Sequence, residues 1–222
     1  MKDLLLQVIR EESTWSGRYL ILPEKDQLST SIPDLDAVRS AMGDCRRCPL
    51  CQTRKNLVFG EGSAQASLMF IGEAPGAVED DTGRVFVGPA GQLLTSIIEN
   101  GMGLKRSQVY IANILKCRPP GNRDPLPEEV EQCIGFLESQ IDTVRPKVIV
   151  TLGRVATQNL LKTSTPISRL RGIFTEYMGI AVMPTYHPSY LLQNPSKKRD
   201  VWEDIKKVMK YLQISRPDQP GT

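Results

Sequence analysis

No long apolar run occurs in these 222 residues, and they contain one histidine, His187. The first absence leaves no stretch able to cross a bilayer as a helix, so a membrane partner is not expected. The second rules out histidine-rich metal sites and triads that draw on more than one imidazole, leaving His187 as the single candidate wherever an imidazole is needed. A phosphate cradle is missing too. Gly72 and Gly76 lack the lysine and Ser/Thr that complete a P-loop, and the neighbouring Glu73, Glu79 and Asp80 would repel phosphate. There is no internal repeat and no low-complexity tract. A net charge of +3 is small, so binding to nucleic acid requires grouped charges. Arg118 with Arg123, and Lys197 with Lys198 and Arg199, are such groups, although the second reads equally as a solvated helix start.

Five cysteines are present, and four fall in two pairs, Cys45 with Cys48 and Cys117 with Cys133, on either side of the glycine-rich acidic segment Gly72 to Asp80. The apolar run Leu4 to Leu6 is too short for the core of a secretory signal and acidic residues follow it, so a cytoplasmic location is expected. In a reducing compartment, clustered thiols are metal ligands more often than disulfide partners. Zinc and iron-sulfur both accept four thiolates. The wide second pair and Pro49 after Cys48 lean slightly toward iron-sulfur. Cys51 extends the first pair toward a ferredoxin-like run, but Lys55 stands where its fourth cysteine belongs.

Residues 1–40 read as an extension with one amphipathic helical pattern (Leu4, Leu5, Val8, Ile9) followed by a polar stretch with Pro23 and Pro33. Residues 41–213 read as the catalytic domain and 214–222 as a flexible tail. From Ser67 onward, short apolar runs alternate with helical patterns. Strands are predicted at Leu68–Ile71, Val109–Ala112, Lys147–Thr151 and Ile180–Thr185, and helices near 91–100, 127–143, 154–161 and 197–212. This alternation predicts βαβ units and a three-layer α/β/α sandwich around a mostly parallel sheet. In such folds ligands gather beyond the carboxyl ends of the strands. Three distinctive segments follow strand ends: Gly72 to Asp80, Asn113 to Arg123, and His187 to Leu192.

Within those segments, Asn113 is either a turn residue or a fixed amide able to pair with the edge of a base. Phe86, in the glycine-flanked run Gly83 to Gly88, is either core or a stacking platform for a planar ligand. Glu73, Glu79 and Asp80 supply acid groups or cap a helix.

These motifs together resemble the iron-sulfur, family 4 uracil-DNA glycosylases of bacteria and archaea. The resemblance runs from about Cys45 to Leu212. It rests on the spaced cysteines, Gly72 to Gly76, Gly83 to Gly91, Asn113 to Arg123, and His187 to Leu192. It implies a 4Fe-4S cluster on Cys45, Cys48, Cys117 and Cys133, with Cys51 spare. It also implies a DNA repair enzyme, monomeric and associated with the nucleoid, acting on uracil in single- or double-stranded DNA.

The resemblance further implies roles for individual residues. Phe86 stacks on the flipped base and Asn113 pairs with its O4 and N3 edge. Backbone N–H groups near Glu73 and Ala74 complete the pocket, and Glu79 crowds C5 against thymine. Neutral His187 stabilises the charge that develops on O2. Ala74 occupies the position that holds an aspartate in the better-known uracil glycosylases, so Glu73 is left to orient water. Leu191 is expected as a minor-groove wedge beside Ser189. Arg118, Arg123, Lys197 and Lys198, and less strongly Arg169 and Arg171, would hold phosphates. Three rival readings are a relative that captures DNA covalently, a non-enzymatic iron-sulfur module, and a zinc-stabilised nucleotide hydrolase. Against the first, Asn122 to Pro127 lacks the histidine it needs.

Overall fold

Four strands form the centre of the molecule because their residues are apolar on both faces: β2 (Leu68–Gly72), β3 (Tyr110–Asn113), β4 (Val148–Leu152) and β6 (Ile180–Thr185). The computed structural model describes residues 34–215. Among these, six strands make one sheet in the order β1 (Glu61–Gly62), β3, β2, β4, β6, β5 (Thr175–Tyr177). The four central strands run parallel. The short edge strands β1 and β5 pair antiparallel with β3 and β6. Neither edge strand is predicted from the sequence, because two or three residues carry no readable period.

The strands alternate between two cores. Leu68, Phe70, Ile111 and Val150 face one side, where they meet helix α3 (Pro89–Ser96), its continuing π turn and helix α8 (Lys198–Leu212) through Leu94, Ile98, Val201, Ile205 and Val208. Met69, Ile71, Tyr110 and Ile149 face the other side. There they meet helices α4 (Pro127–Val144) and α5 (Gly153–Leu161) through Leu137, Ile141, Ala156 and Leu160. Spacings of three and four along α4 and α8 put each apolar stripe on a single face. The predicted three-layer sandwich is therefore the observed one.

Helix α1 (Leu35–Met42) packs Val38 and Met42 against Phe59 and the flank of α4 at Phe136. The packed body thus already includes Leu35, ahead of the boundary expected at residue 41. At the other end, Ile214 packs on the core, with its N–H donated to the Met209 carbonyl at 2.9 Å. The helical pattern at Leu4 to Ile9, the polar stretch through Pro33 and the remainder of the tail lie outside the described residues.

Two segments expected to be loops contain helices. Ala77–Thr82 is helix α2, and Pro188–Gln193 is a short helix, here α7, following the four-residue α6 (Ile167–Leu170). α7 starts with Pro188 in its first turn and has His187 as its N-cap. Histidine is not among the usual capping residues, so Pro188 alone marked the start of this helix in the sequence. No helix among the described residues is long and apolar enough to cross a membrane.

Candidate active site

In this strand order the chain leaves β2 toward β3 on one side and returns to β4 on the other, so a crevice opens beyond their carboxyl ends. A cleft of about 420 Å³ occupies that place. Glu73 and Ala74 enter it from the end of β2, Asn113 from β3, Arg154 from the start of α5 and His187 from the end of β6. Phe86, Glu79, Arg123 and Ser189 also line it.

Asn113 is buried at the floor, and its Oδ1 is the one buried side-chain polar atom among the described residues without a hydrogen-bond partner. An orphan acceptor on a cleft-lining residue calls for a donor from a ligand or from water. Phe86 forms a wall at only 6% exposure, with a positive φ of 49° that a bulky residue adopts at a cost of about 1–3 kcal/mol. Two glycines make room for it. A methyl at Gly72 would lie 2.5 Å from Phe86 Cζ and 2.4 Å from Asn113 Oδ1, and one at Gly91 would lie 2.0 Å from the Phe86 carbonyl carbon.

His187 stands across from Phe86, with ring centroids 5.7 Å apart. Its Nδ1 accepts the Ser189 backbone N–H at 3.1 Å and lies 2.7 Å from Ser189 Oγ. An Nδ1 that accepts from a backbone amide carries no proton, so the neutral ring holds its hydrogen on Nε2. Burial pulls the His187 pKa down to about 4, against an opposing effect of the Glu79 carboxylate, which keeps the ring neutral at pH 7. The β6 end that delivers it is anchored by buried Asp204, which accepts from Thr185 Oγ1 at 2.6 Å and from the Arg171 guanidinium at 2.6 and 3.1 Å.

The Glu73 carboxyl is pushed up to about 7, chiefly by burial and then by the nearby Asp124 carboxylate, with Arg154 pulling the other way. Arg154 and Asp124 form an ion pair at the cleft rim. Glu79 staples two loops together: Oε1 accepts from the backbone N–H of Val87 at 2.9 Å and Gly88 at 2.8 Å, and Oε2 from Gly76 at 3.2 Å. Asp80 is buried and accepts the Lys55 N–H at 2.9 Å, so it braces the fold instead of serving the cleft.

The expected DNA contacts divide. Leu191 is 1% exposed and belongs to the core, which contradicts its expected role as a wedge; Leu192, next to it, is 47% exposed. One residue's advance along a helix turns a side chain by about 100°, so the sequence order could not say which leucine faces out. Arg123 is clamped on buried Glu129 at 2.6 and 2.9 Å, and Arg171 on Asp204, so both guanidiniums serve the fold. Lys197 pairs with Asp200 at 3.1 Å, Arg118 donates to Asn122 at 2.8 Å, and Lys198 is exposed. Arg118, Leu191, Lys197 and Lys198 lie outside the cleft lining. Arg154 and Asp124 were missed by the sequence reading, although Arg154's place just after β4 was a usable signal.

Cys45, Cys48, Cys117 and Cys133 line a second, small cavity, and Cys51 does not. All are free thiols. Burial raises Cys48 and Cys133 and pushes Cys117 up to about 11. Arg54 Nη1 lies 3.2 Å from Cys117 Sγ and Arg47 Nη1 lies 3.4 Å from Cys45 Sγ, so both sulfurs face positive donors. Lys116, fully buried, lines the same cavity.

Residues 59–206 match the model of the Uracil DNA glycosylase superfamily. The chain is 46% identical over 181 residues to a type-4 uracil-DNA glycosylase of Archaeoglobus fulgidus, covering 78% of this chain and 90% of that protein. It is 44% identical over 182 residues to one from Sulfurisphaera tokodaii (78% and 83% covered) and 43% identical over 182 residues to one from Thermotoga maritima (80% and 94% covered). With the orphan amide, the aromatic wall and the neutral histidine in one crevice, these likenesses give the identity: the chain belongs to the uracil-DNA glycosylase superfamily, among its type-4 members.

Proposed function

We propose that the protein excises uracil from DNA, hydrolysing the N-glycosidic bond of an extruded deoxyuridine to leave free uracil and an abasic site. The observation that carries this reading is the unpartnered Asn113 Oδ1 on the cleft floor. Uracil N3–H supplies the missing donor and uracil O4 accepts from the same amide, whereas cytosine presents the reverse pattern. Phe86 stacks on the base, which offsets part of the few kcal/mol spent on unstacking it. Glu79 and the backbone around Glu73 and Ala74 close the remaining edge.

As the bond to C1′ lengthens, negative charge gathers on uracil O2 and positive charge on the sugar. The Nε2–H of neutral His187 donates to that oxygen. Ionised Glu73 orients a water toward C1′ and accepts its proton. Arg118, Lys198 and Arg154 meet phosphates, with Arg123 and Lys197 able to join only by leaving their carboxylates. Ser189 and exposed Leu192 present the α7 edge to the DNA.

Cys45, Cys48, Cys117 and Cys133 would hold a 4Fe-4S cluster, which when bound supplies a covalent tie between the N-terminal knuckle and the segments around Asn113 and α4. The surroundings of the four sulfurs support a thiolate-bound metal centre there. The cationic donors on Cys45 and Cys117 suit thiolates carrying negative charge. The protein acts as a monomer on single- or double-stranded DNA, in the cytoplasm at the nucleoid.

The test is cleavage of a labelled oligonucleotide with one uracil opposite G, opposite A or unpaired. Iron-replete wild-type protein is expected to release uracil. His187→Ala should slow release by about 100- to 1,000-fold, the usual loss for one preorganised donor. Asn113→Asp should lose about tenfold or more as its second oxygen meets O4. No release by the iron-replete protein would sink the reading.

A further inference from the structure

Lys116 is 1% exposed, among the most buried large side chains in the protein, and none of the ion pairs among the described residues includes it. Its Nζ donates to two neutral acceptors, the Asn113 backbone carbonyl at 2.9 Å and Gln140 Oε1 at 2.6 Å. Gln140 is itself fixed, donating to the Phe59 carbonyl at 2.9 Å and to Tyr110 Oη at 3.1 Å. An ammonium with no counter-charge is costly in an interior. The acidic groups that form buried pairs elsewhere, Glu129 and Asp204, are engaged by Arg123 and Arg171. What lies on the remaining side of Lys116 is the cavity of Cys45, Cys48, Cys117 and Cys133, which its side chain helps to line.

We infer that Lys116 is the buried counter-cation of the four-thiolate centre and a positioning residue for Asn113, linking the metal centre to base recognition. The inference rests on the cluster reading given above. A tetrathiolate cluster is anionic, so it supplies the charge that the lysine otherwise lacks. The lysine in turn pins the carbonyl of the residue whose side chain faces the base. β3 ends at Asn113 and Cys117 lies four residues on, so one short segment carries the base-reading amide, the cation and a cluster ligand. Lys116 touches neither substrate nor the reacting atoms. Its effect comes through the placement of Asn113, where an error of about 1 Å costs on the order of 100-fold in rate.

Two substitutions separate its tasks. Lys116→Gln removes the charge but keeps an N–H donor for the Asn113 carbonyl; Lys116→Met removes both. Removing a positive charge beside an anionic cluster favours its more oxidised state, so the midpoint potential should fall in both variants. Uracil release should fall about 10- to 100-fold in Lys116→Met and clearly less in Lys116→Gln. In both, iron content should stay near that of the wild type in a chain that circular dichroism shows is folded.

Wild-type protein without iron and without a cluster spectrum would defeat the cluster reading itself. A wild-type cluster with unchanged potential and unchanged uracil release in Lys116→Met would defeat the Lys116 role alone. Should neither variant fold, ¹⁵N-lysine-labelled wild-type protein decides: one slowly exchanging ammonium resonance shifted by the paramagnetic cluster is expected, and its absence overturns the inference.

Discussion

At the residue scale, the site reverses the order in which a carboxyl and an imidazole ordinarily titrate. Burial holds His187 neutral, with its pKa at about 4, and holds Glu73 protonated until about pH 7. If ionised Glu73 orients the water, kcat/KM should climb with pH up to about 7 and then level off. Glu73→Gln should remove that limb and leave a low, flat profile; a limb that persists in the variant would reassign it. Stability follows a matching sign. A carboxyl whose folded pKa lies above its ordinary value of 4.5 favours the folded state while protonated, and that advantage is lost as pH rises through about 7. Glu73→Gln should therefore melt higher than wild type at pH 8 and close to it at pH 4, measured by calorimetry. The single histidine and the glycine-flanked Phe86 were readable as candidates from the sequence. The tautomer of His187 was not, because it depends on the Ser189 amide that meets Nδ1 only once α7 has formed.

At the element scale, α7 does two jobs from adjacent residues. Leu191 fills the core beneath Phe86 and α3, while Leu192 and Tyr190 stand out toward solvent. Leu191→Ala should cost about 2–5 kcal/mol in chemical denaturation, as buried leucines do. Leu192→Ala should leave stability unchanged within about 0.5 kcal/mol. It should slow excision from duplex DNA more than from single strands, where no stack has to be opened and refilled. Equal loss on both substrates would show that Leu192 does not act in base extrusion. The sequence marked this segment as functional but could not orient it. A six-residue helix starting from a histidine cap gives no pattern long enough to identify its buried face.

At the scale of the whole molecule, the two cavities lie at the two ends of one short segment, with Asn113 in the cleft and Cys117 at the thiol site. On the proposed cluster reading, Cys117→Ser should lower iron content and thermal stability together, because a metal centre there would tie the Cys45 to Cys48 segment to α4. Binding to uracil-free DNA should weaken steeply with salt and show little sequence preference. Lys198→Ala should reduce that salt slope by about one, whereas Arg123→Ala should chiefly destabilise the fold, since it leaves buried Glu129 without its guanidinium.

The sequence by itself determined the layers of the fold, the four central strands, the spacing of the cysteines and most of the segments that meet at the cleft, because apolar period and motif spacing are local properties of the chain. Only the tertiary structure decided which charges are free. Arg123, Arg171 and Lys197 read as phosphate ligands until their carboxylates, six, thirty-three and three residues away, were brought beside them. The same holds for Lys116, an unremarkable lysine in sequence. Burial beside the thiol site, with its ammonium on the Asn113 carbonyl, is what sets it apart, and burial is a property of the packed chain.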